Sequence, residues 1–162
     1  MNIIEAIEDP RLFGDMGFDA PSWAPWRTFL AALWALPMDA EQLETYRKHT
    51  GRTEPPKAPS RYAELASGRR GGKTRMLALV ASYQACCVDH RPFLAVGERA
   101  VVACIAKDRA QARVLLNYIG GFLNERSLFA QLIESEQDSA IHLNNGVSIE
   151  VRSTLHPLSR FR

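Results

Sequence analysis

Residues 67–74, with the sequence SGRRGGKT, combine glycines, cations and a hydroxyl at a spacing that suits phosphate binding. They match the pattern GxxxxGK[ST], except that Ser67 stands where the first glycine belongs. The small residues Gly68, Gly71 and Gly72 allow backbone N–H groups to surround phosphate oxygens at close range. The alternative is a surface turn rich in glycine and arginine, which the flanking elements make the weaker interpretation.

The residues at the end of this pattern supply charge and a metal ligand. Lys73 can reach the β- and γ-phosphates of a nucleotide, and the Thr74 hydroxyl can bind the accompanying Mg²⁺. The apolar residues 76–88 predict a buried helix that begins near Lys73, and the N-terminus of such a helix attracts anions. Arg69 could reach the γ-phosphate and stabilise transition-state charge. ATP and Mg²⁺ are the predicted cofactors, with Arg69 and Lys73 as catalytic residues.

Two further arginines lie in or beside the loop. Arg70 and Arg75 are grouped with the nucleotide-binding residues, although a solvated side chain is the simpler interpretation of each. The complete predicted set is Gly68, Arg69, Arg70, Gly71, Gly72, Lys73, Thr74 and Arg75.

The elements around the loop predict an α/β fold. Residues 61–66 form a predicted strand before the loop, and residues 101–106 (VVACIA) form a second strand. The unbroken apolar run of the second strand is typical of a parallel sheet covered on both faces. Asp108 is the predicted cap of a helix over 109–123, and a further helix is predicted over 126–134. This order indicates a P-loop NTPase-type parallel sheet with crossover helices.

The last predicted element is a hairpin. Two alternating runs, 140–143 and 147–151, flank the tripeptide Asn-Asn-Gly at 144–146, whose residues tolerate the positive φ of a tight turn. Glu134, Glu136 and Asp138 are expected in a polar loop before it. No apolar strand ending in an acidic pair follows, so the predicted sheet is incomplete.

A small helical hairpin is predicted before the sheet. One helix spans residues 23–36, and a second begins after Asp39, closes near His49 and is terminated at Gly51. The helical spacing of the three tryptophans in the first of these favours a core role. The predicted domains are a helical region at 1–50, a Pro-rich linker at 51–60, a partial P-loop domain at 61–154 and a tail at 155–162.

Composition excludes several classes of protein. The 162 residues are 46% hydrophobic and 23% charged with a net charge of +2, which excludes disordered and collagen-like chains. The sequence contains no apolar run long enough to predict a membrane span, and its acidic N-terminus does not suit a secretory signal. The odd number of cysteines, Cys86, Cys87 and Cys104, favours a reducing cytoplasm and buried thiols over a zinc site.

With these residues in view, the chain resembles the large subunit of a tailed-phage terminase, the DNA-packaging motor, over about residues 22–152. The phosphate loop is the most specific block. Other matching blocks are WRTFL at 26–30, LPMD at 36–39, DHR at 89–91, GER at 97–99, QAR at 111–113 and NGV at 145–147.

The resemblance implies an ATPase that pumps viral DNA into a phage head. Its loop arginine corresponds to Arg69, its phosphate lysine to Lys73 and its Mg²⁺-side hydroxyl to Thr74. The implied partners are double-stranded viral DNA, a small terminase subunit and a portal protein in the bacterial host cytoplasm, with no membrane. Homo-oligomerisation is expected of the full-length form.

The family pattern continues into an Asp-Glu strand and a nuclease domain, and neither follows here. We therefore expect a truncated N-terminal part that binds ATP but turns it over poorly. The alternative is a non-catalytic nucleotide-binding or vestigial prophage remnant. A helicase or a small-molecule kinase is disfavoured, because no second motor domain or lid follows.

Overall fold

The computed structural model describes residues 1–153 and divides the chain into two compact units. The first unit is Met1–Arg69, and the second begins at Arg70. The predicted tail at 155–162 lies outside the described residues.

The first unit is helical. Its helices are α1 (Ile3–Glu8), α2 (Ala24–Leu33) and α3 (Ala40–Thr50), with 3₁₀ turns at Gly14–Met16 and Pro21–Trp23. Asp39 caps α3 through a capping box with Gln42, and Gly51 ends α3 in the left-handed conformation, as predicted. Helix α2 packs on α3 and is shorter than the predicted 23–36.

The hydroxyl group of Tyr46 has no hydrogen-bond partner among residues 1–153, although the side chain is only 4% exposed. A buried hydroxyl without a partner costs free energy, because it has lost its bonds to water. We expect Tyr46→Phe to raise the free energy of unfolding by about 1 kcal/mol in a denaturant titration. Tyr118→Phe is the control, because Tyr118 is 40% exposed and its substitution should leave stability unchanged. A loss of stability in Tyr46→Phe would contradict this account.

The second unit combines helices with one sheet. Its elements in chain order are α4 (Lys73–Cys87), a 3₁₀ turn (Arg91–Phe93), β1 (Ala100–Ala106), α5 (Arg109–Glu125), α6 (Ser127–Ala130), β2 (Ile133–Gln137), β3 (Ala140–Leu143) and β4 (Val147–Ser153). Asp108 caps α5, as predicted.

The sheet has four strands in the order β1-β4-β3-β2 and is mixed. Strand β1 is parallel to β4, with Ala100 opposite Val147 and Ala106 opposite Ser153. The other two pairings are antiparallel. The prediction of a parallel sheet therefore holds for one pair of strands only. The β3–β4 hairpin forms as predicted, with Gly146 at φ 85° in its turn.

Two predicted elements differ in the structure. Among the described residues, 61–66 form no strand; their side chains are exposed, and no neighbouring strand pairs with them. The helix predicted over 126–134 ends at Ala130, because Ile133 and the residues after it pair with β3 instead. Glu134 and Glu136 consequently lie on β2 rather than in a loop.

The apolar faces of α4 and β1 are only partly covered by the described residues. Alternate residues of β1 are exposed, with Val101 at 48% and Ile105 at 57%. Leu77 of α4 is 56% exposed, whereas Leu79 of α4 and Ile119 of α5 are fully buried. The two helices pack against each other. Helix α4 is largely buried, as predicted, with Leu77 its one exposed residue over 76–88, whereas the prediction of a strand covered on both faces is wrong for the described residues. An apolar run fixes the type of element but not what packs against each face.

Candidate phosphate-binding site

The start of α4 has the backbone geometry of an anion-binding helix terminus. Gly72 is its N-cap in the left-handed conformation (φ 78°), and Arg70 shares that conformation at φ 60°. The i→i−4 hydrogen bonds of α4 begin at this cap, since the Met76 N–H donates to the Gly72 carbonyl at 2.9 Å. Because the cap is a glycine, it has no side chain that could accept hydrogen bonds from the first-turn N–H groups. This end of α4 can therefore present backbone donors to an anion.

The electrostatics of the segment favour an anionic ligand. Four cations, Arg69, Arg70, Lys73 and Arg75, lie within residues 65–88, and no Asp or Glu lies in that range. The positive end of the α4 dipole adds to their field. Such a concentration of like charge is costly unless counter-ions or an anion neutralise it.

The structure places the predicted site residues in two groups. Gly68 and Arg69 close the first unit, and the predicted residues from Arg70 to Arg75 open the second. Lys73 and Thr74 occupy the first turn of α4, where Lys73 is exposed and Thr74 is half-buried. At Gly68 an added Cβ would meet no atom within 4 Å, so intrachain packing does not require a glycine there. Close approach of a ligand would require one.

Two side chains from outside α4, one of them distant in sequence, form hydrogen bonds to the opposite end of this helix. The Asn145 side-chain amide donates to the Ala85 carbonyl at 2.8 Å, and His90 Nε2 donates to the Gln84 carbonyl at 2.8 Å. Both bonds satisfy carbonyl groups that a helix leaves unpaired at its C-terminus. Sequence reasoning assigned Asn145 only to the hairpin turn and missed its role in holding the helix that carries the site.

We expect Asn145→Ala to lower the free energy of unfolding by about 2 kcal/mol, because two hydrogen bonds are lost. The second is the bond from the Val147 N–H to Asn145 Oδ1, at 3.1 Å. Asn145→Asp keeps this acceptor but cannot donate to Ala85, and should fall between wild type and alanine. Denaturant unfolding gives the ranking, and equal stability of all three proteins would contradict the capping role. Asn144→Ala, which removes a more exposed bond to the Gln131 carbonyl, is the matched control.

The Thr74 side chain could bind a metal ion that accompanies a nucleotide. The Thr74 hydroxyl is a hard oxygen ligand of the kind Mg²⁺ prefers, and a nucleotide supplies further oxygens. Within residues 1–153 no group of three or more His, Cys, Asp or Glu side chains is arranged to hold a metal ion. Burial raises the pKa of the Cys86 thiol to about 12 and those of Cys87 and Cys104 to about 11. These thiols therefore stay protonated at neutral pH and are poor ligands and nucleophiles.

Several carboxylates that could activate water are already engaged elsewhere. Asp108, which follows β1, accepts a bond from the Gln111 N–H at 2.9 Å as the cap of α5. Arg99 pairs with Glu134 at 2.8 Å, and Arg152 pairs with Glu150 at 2.6 Å. Asn124 donates to Glu136 at 3.0 Å.

Two cavities of the second unit lie away from the loop. One, of about 300 Å³, adjoins the C-terminal end of α4, and the other, of about 450 Å³, lies between α5 and the β2–β3 hairpin. Neither is lined by a residue of the predicted nucleotide-binding set. The candidate site is thus an exposed loop and helix terminus rather than one of these cavities.

None of the helices within residues 1–153 has the length and apolar character needed to cross a bilayer. Comparison of the chain with protein-family models, curated proteins and solved structures gave no match.

Proposed function

We propose that residues 68–75 bind the phosphates of ATP together with Mg²⁺. The observation that carries this proposal is the glycine-capped start of α4, with Lys73 and Thr74 in its first turn. The absence of acidic residues from 65–88 supports an anionic ligand, because four cations lie in that range of the sequence. On this proposal the protein has a P-loop-type nucleotide site on a mixed α/β fold.

Each residue of the loop has a distinct task in the proposed complex. The first-turn amides of α4 and the Lys73 ammonium group bind phosphate oxygens, and Thr74 holds Mg²⁺ against them. Arg69 stabilises the charge that develops on the γ-phosphate during transfer. Mg²⁺ held by Thr74 would supply positive charge that partly neutralises the phosphates.

The larger role we propose is that of the N-terminal, ATP-binding part of a terminase large subunit, which packages viral DNA into a phage head. The support is the resemblance of residues 22–152. Its partners would be double-stranded DNA, a small subunit and a portal protein in the host cytoplasm. The outer edge of β1 is consistent with a larger sheet, because AVVACIA carries no charge, proline or bulge to protect it. The other edge strand, β2, is charged and bulged.

The second candidate is a nucleotide-binding protein that does not turn ATP over, for example a prophage remnant. The engaged carboxylates favour it, since Asp108, Glu134, Glu136 and Glu150 each already accept a bond from another residue. Hydrolysis needs a group that orients or deprotonates water, and removing such a group from an existing bond costs free energy.

A titration of purified protein with ATP, in the presence and absence of Mg²⁺, tests the first proposal. Binding should raise the melting temperature in proportion to the logarithm of free ATP, because the ligand stabilises only the folded state. Failure of ATP to bind at millimolar concentration would contradict the nucleotide site. Sustained Mg²⁺-dependent phosphate release that Lys73→Ala abolishes would exclude the non-catalytic candidate, whereas little or no release agrees with both.

A further inference from the structure

Strand β1 has one edge that no other strand of the described chain pairs with. It is the terminal strand in the order β1-β4-β3-β2, and within residues 1–153 no hydrogen bond joins its outer side to another segment. The opposite edge strand, β2, carries two glutamates and a bulge, which hinder pairing with another chain. The sequence of β1, AVVACIA, has neither charge nor proline. The chain therefore protects one edge of the sheet from pairing and not the other.

The outward-facing backbone groups of β1 belong to alternate residues. The Ala100 N–H donates to the Gly146 carbonyl at 3.0 Å, so the backbone groups of Ala100 face β4. Successive residues of a strand direct their N–H and C=O groups to opposite sides. Val101, Ala103 and Ile105 therefore direct both groups away from the sheet. The side chains of the same three residues are exposed.

The sequence of β1 is self-complementary when it is read against itself in the antiparallel direction about Ala103. This register places Val101 opposite Ile105 of a second copy, and Ala103 opposite its own equivalent. The three outward-facing residues thus pair only among themselves, so each free N–H of one copy meets a free C=O of the other. Cross-strand partners are also similar in size, which favours their contact. The remaining pairs in this register are Ala100 with Ala106 and Val102 with Cys104.

We infer that two copies of this chain pair through β1, antiparallel about Ala103, and join their four-stranded sheets into one continuous sheet. Because each copy has one unprotected edge and the pairing follows a two-fold axis, assembly ends at the dimer. Beyond the strand, the register brings Lys107 near Arg99 of the second copy, which is unfavourable. Glu134 offsets this repulsion, since it pairs with Arg99 at 2.8 Å. The pairing does not depend on the proposed nucleotide site.

The mass of the protein in solution tests this pairing. Sedimentation equilibrium of the full chain should give a dimer at about 100 µM. Ala103→Lys places two ammonium groups beside the two-fold axis, so it should raise the dimer dissociation constant by at least about tenfold. The monomer should tolerate the change, because Ala103 is exposed and lysine suits an edge strand. Gln137→Lys, the matched control, adds the same charge to exposed β2 and should leave the dissociation constant unchanged.

A disulfide tests the register of the two strands. In this register Val102→Cys faces the native Cys104 of the second copy as a non-hydrogen-bonded pair, at a separation that a disulfide can span. In a protein whose other two cysteines are replaced by alanine, oxidation with diamide should therefore link two chains on a non-reducing gel. Val101→Cys in the same protein is the control. It faces no cysteine of the second copy, so its chains should stay separate.

Three results would overturn the inference. The first is a wild-type protein that is monomeric at about 100 µM. The second is a dimer whose dissociation constant Ala103→Lys leaves unchanged, since the copies would then meet through another surface. The third is equal cross-linking of Val101→Cys and Val102→Cys, which would exclude the register about Ala103. If Ala103→Lys does not fold, the cross-linking pair still decides. ATP binding is measured separately, so failure of this inference is distinguishable from failure of the proposed function.

Discussion

Lys73→Ala is expected to weaken ATP binding by about 30-fold, which corresponds to about 2 kcal/mol for the loss of a hydrogen-bonded charge. The fold should tolerate this change. Lys73 is the exposed first residue of α4, alanine is the best helix former, and a cation at this end opposes the helix dipole. Binding should therefore fall by much more than any change in the stability of the free protein explains. Titration with ATP and thermal unfolding without ligand measure the two effects.

Controls for Lys73→Ala distinguish a specific contact from a change in total charge. Lys48→Ala removes an exposed lysine from α3 and should leave ATP affinity unchanged. Thr74→Ser keeps the hydroxyl group and should preserve the dependence of binding on Mg²⁺, whereas Thr74→Ala should reduce it. Equal ATP affinities of wild type and Lys73→Ala would contradict a phosphate-binding loop.

The elements predicted most accurately are those specified by residues close together in the sequence. The Asp39 capping box and Gly51 define both ends of α3, and Asp108 marks the start of α5. The Asn-Asn-Gly turn fixes the β3–β4 hairpin in the same way, because Gly146 supplies the positive φ. Each of these signals acts over only a few residues, so neighbouring elements do not change its meaning.

The incorrect predictions concern contacts between distant residues. Strand β2 (IESEQ) lacks an apolar alternation and forms because β3 offers it a hydrogen-bonding partner. Residues 61–66 have a strand-like sequence but no partner among the described strands. A strand depends on its neighbour for every ladder bond, so local composition cannot decide whether it forms.

The candidate site likewise combines features that the local sequence predicts with features that it does not predict. The types and order of its residues were evident from the GxxxxGK[ST] pattern, and the helix start at Lys73 is where the pattern requires it. The left-handed conformation of Arg70 and the contact between Asn145 and Ala85 were not evident. The first is a backbone conformation that arginine disfavours, so the residue type does not predict it. The second joins residues 60 positions apart.

Ile149→Ala is expected to lower the free energy of unfolding of the second unit by about 3 kcal/mol. Ile149 is fully buried on β4, between β1 and β3. Truncation removes apolar contacts and leaves a cavity that the sheet backbone cannot collapse to fill, because β4 is paired on both sides. Denaturant unfolding should show a lower midpoint with an unchanged slope.

Ile105→Ala is the matched control and also probes the outer face of β1. Ile105 is also an isoleucine but is 57% exposed, so its truncation should lower the free energy of unfolding by less than about 1 kcal/mol. If the cost approaches that of Ile149→Ala, the exposed face of β1 must be covered in solution by another part of the protein or another molecule. If the control has a small effect while Ile149→Ala is strongly destabilising, the face is open.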